Sequence, residues 1–183
     1  MKLNLGCGRH PMPGWVNIDI RDGPGVDYRI DLDKPNALQE FGTGEVTQVR
    51  ALGIFEHLWH WEDLMLEIAR VLKPGAGLVE IRVPYKNDYV AYHVRHFDMY
   101  TFDPFRSDFL RKGYDLRRHK PEFGSLEFGE PYFILANLWV EHFYPFAWHL
   151  AKYGLGDRAY KLPLGKAINL NVTLKRNERP WKA

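Results

Sequence analysis

The sequence predicts an α/β fold, and three observations carry that reading. Residues 2–84 alternate short β-type runs with Gly, Pro, Asn and Asp turn signals. A single long helical pattern lies among those runs and stops at Lys73-Pro74-Gly75. The 183 residues are 45% apolar and 26% charged, which suits one domain with a buried core and excludes disordered and fibrous chains.

The expected strands are Lys2–Leu5, Trp15–Ile20, Val26–Leu32, Val46–Ile54 and Leu78–Val83. Leu58, Trp61, Leu64, Met65, Ile68 and Leu72 recur at the spacing of one buried helix face, so a helix joins the last two strands. Between the first two, Arg9-His10-Pro11-Met12-Pro13-Gly14 is too short and too rich in proline for a full crossover helix, and a loop is expected there. Beyond Pro84 the pattern changes. Asp103-Pro104 reads as a helix start, with Phe105, Phe109 and Leu110 on its apolar side and Gly113 as its stop. Tyr114–Arg118 reads as a strand, and Glu130–Tyr153 as a helix broken at Pro145. Ile168, Leu170, Val172 and Leu174 alternate with polar residues, as in a strand with one buried face.

Charge and cysteine content narrow the function classes. With 25 Lys+Arg against 23 Asp+Glu, the net charge of +2 gives no support to binding by phosphate neutralisation. The single cysteine, Cys7, excludes an internal disulfide and points to a reducing compartment. The start MKLNLGCGRHP has too short an apolar run for a signal peptide, and Glu141, His142, Pro145 and His149 interrupt the most apolar stretch, so a soluble, cytoplasmic protein without a membrane span is expected. Of 27 aromatic residues, 20 fall between Tyr85 and Tyr160, which sets the second half apart.

Leu3-Asn4-Leu5-Gly6-Cys7-Gly8 is a β-run leading into two glycines, the type of turn that lets bare backbone approach a ligand. Val16-Asn17-Ile18-Asp19 ends the second run on a carboxylate, the position that accepts hydrogen bonds from a ribose diol in nucleotide-type sites. Asp31-Leu32-Asp33 closes the third run at the same edge, and Leu52-Gly53-Ile54-Phe55-Glu56-His57-Leu58 leads from the fourth into the helix.

With LNLGCG, GWVNIDI, FEHL and RVLKPGAGLVEIRVP in this order, residues 1–85 resemble class I S-adenosylmethionine-dependent methyltransferases, especially the small bacterial, type 11-like members. The resemblance implies a Rossmann-like, mostly parallel sheet with an antiparallel C-terminal strand and a first crossover helix shortened or absent. It implies a single domain over 1–183: a cofactor-binding half at 1–84, an aromatic-rich acceptor or lid insertion at 85–167 and a closing strand at 168–176. S-adenosyl-L-methionine is the implied cofactor, with Gly6, Cys7 and Gly8 around its methionine part and Asp19 on the ribose. Ile20 would pack on adenine with Asp31 and Leu32 at its edge, and Gly53 and Ile54 would lie under the methyl. Cys7 would be a small spacer with a useful backbone N–H. Asn4 stands where many relatives carry Asp or Glu.

A sulfonium is already a good leaving group, so a base is needed only for an acceptor with a proton to lose. His57 is the first candidate, with a helix-capping role for Glu56 and His57 as its alternative. His93 and His96, with Asp98, are the second candidates, and no metal site is expected. Tyr85, Tyr89, Tyr92, Phe97, Tyr100 and Phe102 are candidates for a lid or for core. Phe133, Leu138, Trp139, Phe143, Phe146 and Trp148 are candidates for a substrate wall, a homodimer surface or core. Arg82, Lys86 and Arg95 could attract an anionic acceptor. The expected acceptor is a small molecule or a glycan- or lipid-linked group. Two other readings stay open: a non-catalytic binding or assembly protein of the same fold, and a metal-dependent hydrolase using His57, His93 and His96.

Overall fold

The structure is a computed structural model that describes residues 1–85, 92–98, 101–102, 133–143 and 166–178. Strands β1 (Lys2–Leu5), β2 (Val16–Asp19), β3 (Tyr28–Arg29), β4 (Gln48–Leu52), β5 (Leu78–Pro84), β6 (Phe133–Phe143) and β7 (Lys166–Arg176) form one sheet in the order β3-β2-β1-β4-β5-β7-β6. The first five run parallel, and β7 runs antiparallel to both β5 and β6. Chain order reverses between β1 and β4, so a crevice is expected beyond the carboxyl ends of those two strands.

Register explains which face of the sheet meets the helix of Trp61–Val71. Leu3 pairs with Val49, Val49 with Val79 and Val79 with Leu174; one step on, Leu5, Ala51, Ile81 and Val172 repeat the row. All eight are buried in the same core as Trp61, Leu64, Met65, Ile68 and Ala69 of helix α1 (Trp61–Val71). The intervening row is polar across five strands: Asn17, Asn4, Arg50, Glu80 and Thr173 are successive partners. Parallel strands normally bury both faces and read as continuous apolar runs. Here they alternate, so a second apolar layer has nothing to pack on along this row.

Helix α1 begins after a 3-10 turn at Phe55–His57. Its N-cap residue, His60, makes no side-chain cap bond, and the Asp33 carboxylate supplies one from outside by accepting the His60 N–H at 2.7 Å. The other end runs through Leu72 into Lys73-Pro74-Gly75, where Gly75 takes a φ of 72°. Arg176 of β7 is fully buried and its Nε donates to Ala69 O at 2.8 Å, placing a cation at the helix C-terminus.

Several expectations change. Within Glu130–Tyr153, residues 133–143 form β6 rather than a helix, because a largely apolar run suits either element and pairing with β7 decides between them. The sheet accordingly ends in two antiparallel neighbours instead of one. The third run contracts to the two residues of β3, with Leu32 buried in the turn beyond it. The loop in place of the first crossover helix is present as expected, with no helix between β1 and β2. The readings for Asp103–Gly113 and Tyr114–Arg118 lie outside the described residues.

Candidate functional site

Two loops meet at the switch point. After β1, Gly6 and Gly8 take φ values of 64° and 53°, left-handed backbone that glycine adopts without strain. A Cβ on Gly6 would stand 2.9 Å from Ile54 Cβ, so the turn after β1 lies directly against the turn after β4. Gly53 holds the second turn with a φ of 69°, and its N–H donates to Arg82 O at 2.9 Å.

Asp19 anchors the first turn. Its Oδ2 accepts the Gly8 N–H at 2.8 Å and its Oδ1 accepts the Arg21 N–H at 2.9 Å. Burial disfavours its charge, but the N–H groups of Arg21 and Gly8 and the Arg21 guanidinium outweigh that effect and hold the carboxyl below its ordinary range. Beside it opens a cleft of about 350 Å³ lined by Gly8, Arg9, Asp19, Arg21, Asp22 and Val26, among others.

Side chains of two asparagines do the work of the missing crossover helix. Asn4 Nδ2 donates to Asn17 Oδ1 at 2.9 Å and to His10 O at 3.3 Å. Asn17 in turn accepts the Met12 N–H at 2.7 Å and donates to Met12 O and Trp15 O. The loop of residues 9–15 thus has polar partners for backbone groups that a helix would have satisfied internally.

No family model and no curated protein matches the sequence. Solved structures do match it. An S-adenosylmethionine-dependent methyltransferase from Archaeoglobus fulgidus aligns at 13% identity with a TM-score of 0.54, covering 96% of this chain and 85% of the other. One from Mesorhizobium loti aligns at 17% identity and a TM-score of 0.51, covering 96% and 90%. The 1,6-didemethyltoxoflavin-N1-methyltransferase of Burkholderia thailandensis, solved with 1,6-didemethyltoxoflavin and S-adenosylhomocysteine bound, aligns at 12% identity and a TM-score of 0.52, covering 96% and 70%. The chain has the class I methyltransferase fold.

On this methyltransferase fold, Gly6 meets Ile54, with Gly53 just before it, where the turns after β1 and β4 touch, and Gly8 and Asp19 line the neighbouring cleft. Ile20 is 55% exposed beside it. Cys7 is buried, and its N–H is not available to a ligand because it donates to Ile18 O at 3.0 Å. Its thiol is pushed up by burial and by the negative charge of Asp19, the state of an inert spacer. Asp31 accepts the Asp33 N–H within its own turn, and the Leu32 side chain belongs to the core.

The second half contributes a short segment over the β4 turn. The Glu56 carbonyl accepts the N–H groups of Val94 at 2.8 Å and Arg95 at 3.3 Å, which ties residues 92–98 to the 3-10 turn. His57 Nδ1 lies 3.2 Å from Tyr92 O; a carbonyl only accepts, so Nδ1 is the donor in this contact and Nε2 is the ring nitrogen left for another partner. The His57 ring stacks on Tyr92 and meets His93 edge-on, with centroids 5.5 and 5.0 Å away. Glu56, His57 and His93 bring ligand-type atoms within 4.8 Å of one another, a grouping that includes the buried Glu56 and leaves out the exposed His96. Sequence spacing offers no signal for it.

The aromatic candidates divide. Phe97 and Phe102 are buried in an edge-to-face cluster with Phe55 and Trp61, and Phe133 is core as well. Tyr92 is 67% exposed, and Trp59, also exposed, carries the Arg95 guanidinium 5.7 Å from its ring centre. Leu138, Trp139 and Phe143 lie on β6. Lys86, Tyr89, Tyr100, Phe146 and Trp148 lie outside the described residues. Among the described residues no helix is long and apolar enough to cross a membrane.

Proposed function

We propose that the protein is a cytoplasmic S-adenosylmethionine-dependent methyltransferase acting on a small-molecule or a glycan- or lipid-linked acceptor. The observation that supports this best is the contact of Gly6 with Ile54 beside the Asp19 carboxylate, which joins a bare-backbone turn to a ribose-type acceptor at the switch point. In this reading Gly6 and Gly8 border the methionine part of the cofactor, Asp19 accepts the ribose hydroxyls and Ile20 lies under adenine. A carboxylate has about four lone-pair sites. The diol takes the place of the Arg21 guanidinium, whose side chain is 75% exposed, while the two backbone donors keep Asp19 aimed.

The cofactor supplies an electrophilic methyl carbon on a sulfonium. The protein's part is to hold the acceptor atom in line and to keep water away. His57 and His93 stand at the carboxyl end of β4, and residues 85–167 carry acceptor recognition. Titration of the intact chain with S-adenosylhomocysteine in a calorimeter tests the reading. One molecule bound per chain is expected, with a loss of roughly 1.5–3 kcal/mol in Asp19→Ala. Absence of binding at millimolar ligand would overturn it.

A further inference from the structure

We propose that Glu56, His57 and His93 bind one divalent transition-metal ion, Zn2+ by their donor set, which presents an acceptor oxygen to the methyl group. Two imidazoles and one carboxylate are the donors of open zinc and iron sites, and imidazole nitrogen selects against Mg2+ and Ca2+. The three ligand-type atoms already lie within 4.8 Å of one another. On a tetrahedral ion with metal–ligand bonds of about 2.0–2.2 Å they would stand roughly 3.3–3.5 Å apart, an inward movement on the order of 1 Å. Two imidazoles sharing such an ion have ring centres about 5 Å apart. The His57 and His93 centroids are 5.0 Å apart in the structure.

The surroundings orient the donors. Metal-bound histidines characteristically donate their second N–H to a carbonyl or carboxylate, which fixes the tautomer and aims the other nitrogen. His57 does this through Nδ1 to Tyr92 O, leaving Nε2 for the ion. The Glu56 backbone carbonyl, by accepting the Val94 and Arg95 N–H groups, fixes the segment that carries His93 over its own side chain. Burial of the Glu56 carboxylate strengthens its attraction for a cation.

The acceptor role rests on the methyl-transfer reading, whereas the metal site does not. A hydroxyl bound at an open position of the ion loses its proton to water more readily. Its oxygen then forms a bond to the methyl carbon as the carbon–sulfur bond breaks, and the electron pair stays on sulfur as a neutral thioether. The ligand role uses the same His57 lone pair that a general base would, so the proposed site deepens the sequence reading of His57 and His93 and stands against the expectation that no metal is held.

The test uses the full chain, stripped with chelator and titrated separately with Co2+, Zn2+ and S-adenosylhomocysteine. One Co2+ per chain with visible ligand-field bands is expected, and Zn2+ should displace it. Glu56→Gln and His93→Ala should weaken binding at least about 100-fold, beyond the usual effect of losing a supporting contact. His10→Ala, at an exposed histidine outside the grouping, should leave it unchanged. In the wild-type chain, Zn2+ should protect His57 and His93, and not His10, from diethyl pyrocarbonate, a readout that does not depend on either variant folding. Binding below one ion per two chains, equal affinity in a folded His93→Ala, or unprotected His57 and His93 would overturn the proposal. S-adenosylhomocysteine bound without metal would leave methyl transfer standing and sink the metal site. Metal bound without S-adenosylhomocysteine would do the reverse.

Discussion

The Asn4 side-chain amide donates to the Asn17 amide oxygen at 2.9 Å across the parallel pair β1 and β2. That bond aligns Asn17 so that its oxygen receives the Met12 N–H and its nitrogen reaches Met12 O and Trp15 O. Replacing Asn17 by Ala leaves several partly buried backbone groups without these partners, each worth about 1–3 kcal/mol. Urea denaturation should show a loss of about 2–4 kcal/mol with an unchanged m-value. Asn4→Asp is a sharper test. A carboxylate there faces two acceptors, Asn17 Oδ1 and His10 O, and turning the Asn17 amide to meet it deprives the Met12 N–H of its acceptor. A variant as stable as wild type would show that the loop does not depend on this network.

Asp19 gives the fold an acid-sensitive contact. Its folded carboxyl titrates below the ordinary value of 3.8, so it adds stability that is fully present above the unfolded value and is lost as pH falls through the folded one. Asp19→Asn lacks this contribution. The stability difference between wild type and variant, read from urea curves, should therefore be largest near neutral pH and shrink from about pH 5 to about pH 3. A difference that stays constant or grows on acidification would contradict the assignment.

The parts of this fold that are legible in the sequence are those whose turns are chemically marked. Gly6, Gly8, Gly53 and Lys73-Pro74-Gly75 sit at strand and helix ends because those ends need left-handed backbone or a stop, and the structure has positive φ at all three single glycines and at Gly75. The 3.6-residue pattern places α1 because one of its faces packs on the buried rows of β1, β4 and β5. β6 is not legible, since its eleven residues are largely apolar without strict alternation, and only the register with β7 makes them a strand. Asp33 as the cap of α1, buried Arg176 and the pairing of His57 with His93 join residues far apart in the chain. No local pattern encodes them.

Cys7 should be chemically silent in the folded protein. Burial and the neighbouring Asp19 charge both disfavour the thiolate that reacts with disulfide reagents. At pH 8 the native chain is expected to label at least about 100 times more slowly than the chain in denaturant, and bound S-adenosylhomocysteine should slow it further by suppressing local opening. Fast native labelling would mean that the turn after β1 is open.

Arg70 fastens the loop before β4 to α1. Its guanidinium makes two 2.8 Å bonds to Glu67 and donates at 2.9 Å to both Leu38 O and Phe41 O. The Glu67 carboxylate, through that hydrogen bond, holds the guanidinium charged. Arg70→Ala leaves two carbonyls and a carboxylate without these donors and should cost about 2–4 kcal/mol. Arg70→Lys should recover only part, because a single ammonium cannot reproduce the forked geometry. Equal stability of the Lys variant and wild type would refute the forked role.

Gly6→Ala separates two constraints that act on one atom. The new methyl would meet Ile54 Cβ, Cγ1 and Cδ1 at 2.9–3.0 Å, and the residue would also have to hold a φ of 64°. The steric part can be relieved only partly from the other side, since Ile54→Ala removes Cγ1 and Cδ1 but keeps the Cβ at 2.9 Å, and the backbone cost of about 1–2 kcal/mol for a left-handed residue remains in full. The single variant should therefore lose about 2–4 kcal/mol of stability, judged from the sum of overpacking and backbone strain. The double variant should lose less than the sum of the two single changes, a coupling of at least about 1 kcal/mol in a double-mutant cycle. S-adenosylhomocysteine affinity should fall in Gly6→Ala and recover only partly in the pair, because Ile54 is itself part of the floor on which the cofactor is proposed to rest. Strict additivity of the two changes would mean that the turns after β1 and β4 do not touch in solution.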